Sequence, residues 1–402
     1  MAYKIKGKVQ HYQWGGYAFI PRLLGEANPG REPFAEYWLG AHEKAPSDLM
    51  DDGTAVPLNQ FIARDPEKYL GPATAGRFGR LPYLLKILDV RDMLSIQVHP
   101  TVEEARAGFE RENKMGIPLD SPKRNYKDDN HKPEMMVALS EFYLLHGFRE
   151  DHSLREILAA TPELVSLASY YDKKGYQALY AHVMRMPQFR VNEMLRPLLT
   201  RVLPAYQAGK TPKDHPDFWA ARALASGMTS LDNPDRGIFS IYFFNLVKMA
   251  PGEGIFQAAG IPHAYLEGQN VELMANSDNV LRGGLTPKHV AVEELLSHTL
   301  FEGVTPKVLA PAVRENGTSD YASPVPDFDL TKVEINKGQS LDNQSESLEI
   351  SIVLSGELQI TSSGGALQLG AGEAVCCFPG ERSRWQALSP VLLYQASVPA
   401  GR

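Results

Sequence analysis

Apolar and polar residues alternate strictly along Leu94-Ser95-Ile96-Gln97-Val98-His99-Pro100. Leu94, Ile96 and Val98 fall on one side, and Ser95, Gln97 and His99 on the other. Period two is the signature of a β-strand, so Gln97 and His99 point the same way, one step apart. Upstream, short extended pieces are broken by Gly and Pro. One of them, Ala35 to His42, puts Glu36, Trp38 and Gly40 on one face. Leu81 to Ile87 and Glu134 to Leu139 also read as strands, and Val102 to Asn113 as a charged helix.

From Ser153 onward the period changes to three and four. Leu154, Ile157 and Leu158, then Leu164, Val165 and Ala168, then Met194, Leu195, Leu198, Leu199 and Val202 trace amphipathic helices. Asp151 and Thr161 stand where N-caps are expected, and Pro162 suits a first helical position. Strand character returns at Ile238 to Met249 and at Ile255 to Ala258. His263 then follows a tight bend, ahead of the run Val271 to Leu285. A short helix (Pro287 to Ser297) and a proline-rich linker (Pro306 to Pro326) come next. Beyond them, Leu348 to Leu354, Glu357 to Thr361, Ala366 to Leu369 and Ala374 to Phe378 read as strands between Gly-rich turns. Many short strands at regular spacing imply a sandwich or barrel.

The expected fold is mainly β with a helical insertion: two cupin-type jelly rolls plus an α-helical domain. Pro251-Gly252-Glu253 through Pro262-His263-Ala264, and Leu369-Gly370-Ala371-Gly372-Glu373 through Phe378-Pro379-Gly380, both show the Gly and Pro pattern of a jelly roll. The expected regions are 1–150 (N-terminal part of the catalytic jelly roll), 151–235 (helical insertion), 236–310 (remainder of the catalytic region) and 311–402 (C-terminal, metal-free jelly roll). The last carries no metal because no histidine follows His298.

Composition narrows the function. At 402 residues the chain implies two or three domains, and 43% hydrophobic with 22% charged residues is ordinary for a globular protein. No apolar run is long enough to cross a bilayer. A net charge of −7 without a basic block argues against nucleic acid and membrane surfaces as partners. The N-terminus has no apolar core, so no secretory signal is expected. The two cysteines, Cys376 and Cys377, are adjacent, which excludes a disulfide framework and fits a reducing cytoplasm. They read as a buried strand pair. A monomer is expected.

Gln97, His99, Glu134 and His263 could form one divalent-metal site. Two imidazoles, a carboxylate and an amide oxygen suit a borderline metal such as Zn²⁺, with a position left for substrate. On spacing alone His11, His42 and His131 are rival ligands.

Longer strings add to this. Tyr12-Gln13-Trp14-Gly15, Ala35 to His42, Ser95 to Pro100, Arg124 to Asp128, Asn130-His131-Lys132-Pro133-Glu134, Pro262-His263-Ala264-Tyr265 and Glu272 to Lys288 resemble the type I mannose-6-phosphate isomerase family. The resemblance runs in order through the first 300 or so residues. It implies one zinc ion per chain, held by Gln97, His99, Glu134 and His263, and a catalytic Arg282. Implied pocket residues are Trp14, Glu36, Ser95, Lys132, Tyr265, Glu272, Asp278 and Lys288. It also implies a sugar-phosphate substrate, interconversion of mannose 6-phosphate and fructose 6-phosphate, and a place in mannose catabolism or GDP-mannose supply. Departures are small: Gln13 and Glu43 replace the family's usual Ala and Pro, and the middle helical region carries no motif that aligns.

The chemistry agrees with that assignment. Aldose–ketose isomerisation moves a proton between C1 and C2 through a cis-enediol. A metal acting as Lewis acid, helped by Arg282, can hold charge on the carbonyl oxygen. Glu272 is one candidate base and a metal-held hydroxide another; Lys132 is placed with Glu272 in the catalytic set. Arg282 and Lys288, with Ser95, suit a phosphate dianion. Two readings compete: an Fe(II) oxygenase in a cupin pocket, and a non-catalytic sugar-phosphate binder.

Overall fold

A computed structural model describes residues 2–51, 53–314 and 317–399. Residues 1, 52, 315–316 and 400–402, which include both ends of the expected regions, lie outside the described set. Among the described residues the strands form three sheets, of ten, nine and four strands, and the chain is mainly β with helices added.

The strand His263–Ala275 is the pivot of the ten-stranded sheet. Its second half pairs with Tyr83–Val90 along one edge and Glu134–Ala138 along the other, so that Glu272 lies opposite both Lys86 and Met136. Its first half pairs with Phe142–Phe148, with a register shift between Tyr265 and Glu267. His263 also pairs with Gln97 of the strand Ile96–Val98. A bulge bends a strand and lets it pass from one layer to another. One continuous strand therefore carries His263 in one layer and Glu272 in the facing one.

Alternation then sorts the two faces. Val271, Leu273 and Ala275 point away from Glu272. With Leu39, Leu85, Ile87 and Val137 they pack on Ile5, Leu49, Ile350, Ile352 and Cys376 of the nine-stranded sheet. In the other layer Ile96, Val98, Leu145, Ala264 and Leu281 face outward. They are covered by the helices Asp151–Ala160, Val165–Arg185, Gln188–Gln207 and Pro216–Ala225. The inner face, with Gln97, His146, His263 and Arg282, is left for polar groups. On the far side of the nine-stranded sheet, Val333, Val353, Val375 and Leu393 pack against Leu358, Ile360 and Trp385 of the four-stranded sheet. Among the described residues no helix is long and apolar enough to cross a membrane.

Four expectations need correction. Ala2–Lys6 pairs with Ala374–Cys377 on one edge and Asp48–Asp51 on the other, and Thr54–Pro57 extends the row. Three strands of the expected 1–150 region thus complete the C-terminal sheet, because Ile5 and Leu49 fill its core and their pairing covers its edge. Ile238 to Met249 is not one strand: Gly237–Phe243 is a helix, fully buried, and only Phe244–Met249 is extended. A short continuous apolar run does not distinguish the two. Here the Asp235 carboxylate accepts from the Gly237 N–H at 2.7 Å and so favours the helix start. Asp151 is the first residue of its helix, not its cap, and accepts from Arg155 and Tyr171. Thr161 precedes a short 3-10 turn that starts at Pro162, but its hydroxyl donates back to Ile157 O. The helix at Val102–Lys114 is better specified, with Thr101 and Glu104 forming a capping box.

Candidate active site and metal centre

His99, Glu134 and His263 come together, each buried, with ligand atoms within 4.8 Å of one another. Glu134 stands between the two rings: Oε1 is 3.2 Å from His99 Nε2, and Oε2 is 3.3 Å from His263 Nε2. The Nδ1 atom of His99 donates to Asn279 O and that of His263 to Ile261 O, both at 2.9 Å. This sets the tautomer, because a ring that donates from Nδ1 offers a lone pair at Nε2. Both Nε2 atoms are buried without a hydrogen-bond partner. Burial, then Lys132, pushes the His99 pKa down to about 4, so the ring is neutral at pH 7, the state a metal ligand needs. Gln97 lies directly opposite His263 on one neighbouring strand and Arg282 on the other, and directly opposite residues share a face. The donor set fits a borderline divalent cation. The rivals go elsewhere: His11 to Pro33 O, His42 to Asp278 and His131 to Asp327.

Beside the metal group runs a row of buried charge. Lys132 donates to Glu134 at 2.5 Å. Burial raises the Glu134 pKa, but Lys132 and His99 outweigh it and hold the carboxyl well below the usual range. The buried partner of Glu272 is Lys86, at 2.9 Å. Lys86 also lies 3.2 Å from Glu36 and over the Trp38 ring. Burial raises the Glu272 pKa, and Lys86 offsets this only in part. The Lys86 pKa is raised too: burial lowers it, but Glu272 and Glu36 overcome that and keep it a cation. Among the described residues the buried Tyr265 hydroxyl meets no hydrogen-bond partner of good geometry, and its ring packs with Trp14 and Leu94 in one cluster.

Lys86 is the residue the sequence reading missed. It stands in Tyr83–Val90, a strand buried at every position. A lone lysine in such a strand needs a buried counter-charge, and that was the available signal.

Three further cations, Arg282, Lys288 and Lys127, lie near one another. Arg282 is half-buried and Lys288 lies past the next turn; among the described residues neither has an ion pair. Burial lowers the pKa of both, and Arg282 adds to the effect on Lys288. Lys127 is a third such cation, tied only to the carbonyls of Leu119 and Ser121 and lowered by burial, Lys44, Arg124 and Arg282. The turn between Arg282 and Lys288 is held firmly. Leu285 has φ 53, a left-handed value uncommon outside glycine. The Asp235 carboxylate fixes it by accepting from Leu285 N at 2.8 Å and from Thr286 N. Gly284 has φ 122, and a Cβ there would stand 2.6 Å from Gly237 Cα, so glycine lets this strand approach the helix.

The remaining expected residues divide. Glu36 and Tyr265 belong to the charged row, and Trp14 stacks on Tyr12. Ser95 is half-buried just before the strand of Gln97. Asp278 is not at the metal. It pairs with His42 at 3.3 Å and with Lys44, on a cleft of about 530 Å³ that Arg80 and Lys127 also line. His42 in turn packs edge-on against Trp38, so this cleft leads to the charged row. A larger cavity of about 680 Å³, lined by Tyr170, His182 and Arg190 among the helices, contains none of these residues.

Residues 2–151 match the family model described as phosphomannose isomerase type I, catalytic domain. The chain is 36% identical to mannose-6-phosphate isomerase of Escherichia coli K12, over 92% of this chain and 93% of that protein. This chain belongs to the type I phosphomannose isomerase family. It is 33% identical to the human mannose-6-phosphate isomerase over 91% of this chain and 93% of the other. Solved structures agree along the whole length. A mannose 6-phosphate isomerase from Salmonella typhimurium, solved with fructose 6-phosphate as substrate and zinc, superposes with a TM-score of 0.86 at 32% identity, covering 99% of both chains. Another structure of the enzyme, with zinc and yttrium, has a TM-score of 0.85 and the same identity and coverage.

Proposed function

We propose that the protein is a zinc-dependent isomerase interconverting mannose 6-phosphate and fructose 6-phosphate, built on two cupin-type jelly rolls with a helical insertion at 151–235. One observation carries the reading. Two buried imidazoles and a carboxylate converge, with both Nε2 lone pairs free and aimed inward. Gln97, on the same face, completes a four-residue ligand set. These residues would hold the zinc, which would supply a Lewis acid for charge on the sugar carbonyl.

The chain's own residues do the rest. Among the described residues Lys127, Arg282 and Lys288 have no carboxylate ion pair, which suits a phosphate dianion. Glu272 takes the C2 proton of the open-chain aldose, leaving a cis-enediolate; the O2 proton passes to O1, and Glu272 returns its own proton to C1 to give the ketose. Burial raises its pKa, the direction that favours a group which must give back the proton it takes. Lys86 remains protonated, so its charge and that of Arg282 stabilise the oxyanion character of the transition state. Lys132 holds Glu134 in its ligand orientation. Trp14, Tyr265, Glu36 and Ser95 shape the sugar pocket, and Asp278 orders the cleft mouth through His42 and Lys44.

The test is isomerisation of mannose 6-phosphate by metal-stripped protein, with Zn²⁺ and Fe²⁺ added back separately under nitrogen. Zinc is expected to restore turnover without oxygen. A folded protein inert with every metal would overturn the isomerase reading.

A further inference from the structure

His131 immediately precedes Lys132 in the loop that leads into Glu134. Along an extended segment neighbouring side chains diverge, so Lys132 and Glu134 turn to the metal group while His131 turns away. It turns to Asp327. The His131 Nε2 atom lies 3.0 and 3.1 Å from the two Asp327 carboxylate oxygens. Asp327 is 2% exposed. It sits next to Phe328, which is wholly buried, and at the start of Asp329–Ile335, which pairs at every position with Val391–Ser397. Asp327 is therefore rigidly mounted on the C-terminal sheet, and a buried carboxylate requires a partner.

The other polar ties of this loop run the opposite way. Ser277 Oγ and Asn279 Nδ2 donate to Asn130 O, and Asn130 Nδ2 donates to Asn276 O. The loop is thus gripped from both sides, by residues 276–279 and by Asp327.

We propose that Asp327 is a positioning residue for the isomerase reaction: through His131 the C-terminal sheet holds Lys132 and Glu134 in register with the sugar. This gives the metal-free C-terminal region a part in turnover that needs no ligand of its own. It rests on the isomerase reading above. Misplacement of a catalytic group by about 1 Å can lower a rate about a hundredfold.

The experiment measures kcat and KM for mannose 6-phosphate, zinc content and Tm in Asp327→Asn, Asp327→Ala, His131→Ala and the Asp327→Ala/His131→Ala double variant, all as zinc-loaded full chains. The expected result is a kcat at least tenfold lower in both alanine variants, a smaller fall in Asp327→Asn, KM within about twofold, and one zinc retained. The double variant should match the worse single variant, the sign of groups that act as one unit. Unchanged kcat in folded, zinc-loaded variants, with only Tm lowered, would overturn the proposal, as would additive losses. His131 is half-buried, so His131→Ala decides the question even where Asp327→Ala does not fold. A parent protein that fails to turn over the sugar phosphate would instead refute the isomerase reading.

Discussion

Two pairs of β-layers in this molecule have opposite interiors. Between the nine- and four-stranded sheets the inward positions are Val333, Val353, Leu358, Ile360, Trp385 and Leu393, an apolar core. Between the two layers joined by His263–Ala275, the inward positions include His99, Glu134, His263, Lys86, Glu36 and Glu272, all buried. An apolar interior stabilises by removing surface from water, roughly 25 cal/mol per Å². A charged interior gives much of that back, since desolvating ions is rarely repaid in full by pairing them. Similar double-layered architecture thus serves stability in one place and chemistry in the other. The difference lies in which residues occupy the inward positions of alternating strands.

That contrast can be broken from either side. The largest expected effect is at the metal group: His99→Ala or His263→Ala should lose zinc and activity together. Metal analysis showing one zinc per chain in either variant would remove that residue from the ligand set. Next, Arg282→Ala should retain zinc while kcat falls roughly 10²- to 10³-fold, the scale seen when a donor to a developing oxyanion is removed. Near-parental turnover would take Arg282 out of the mechanism.

Lys86→Met leaves Glu36 and Glu272 buried without their cation. It should lower stability by about 3–5 kcal/mol in urea unfolding and abolish turnover. Stability equal to the parent would show that the two carboxylates are not held charged. In the apolar interior, Trp385→Ala should lower stability by a similar amount, about 3–5 kcal/mol, yet leave kcat and KM unchanged where the protein stays folded. An altered KM there would mean that the two interiors are not separate in function.

The smallest effect is a pH slope. Burial, with His263 adding to it, lowers the His146 pKa to about 4, although Gln257 opposes the shift. The unfolded chain binds this proton below about pH 6.5 and the folded chain does not until about 4, so stability falls as pH drops through that window. His146→Gln should remove up to about 1.4 kcal/mol per pH unit of that slope. Identical slopes in parent and variant, from urea midpoints at several pH values, would refute the assignment.

Much of this was legible in the residues. The alternation around Gln97 and His99 placed both on one strand face, and the three-and-four spacing after Ser153 marked the helices. Each of these signals is local. What escaped needed a partner far along the chain. Lys86 makes sense only beside Glu272 and Glu36, and the role of Asp235 only beside Leu285. Ala2–Lys6 has no local sign that its neighbour is Ala374–Cys377. The pairing of Asp278 with His42 and Lys44 at the cleft is likewise set by partners distant in sequence.

The placement of Ala2–Lys6 also has a consequence for how the protein is made. This strand leaves the ribosome long before one of its two neighbours, Ala374–Cys377. At about 5–20 residues per second, translation leaves that edge open for some tens of seconds. The strands and helices around His99, Glu134 and His263 are all synthesised before the seam can close. Pairing two strands this far apart in sequence delays closure of the sheet until Ala374–Cys377 has emerged, and nascent chains stalled short of Ala374 should carry an open β-edge that chaperones can recognise.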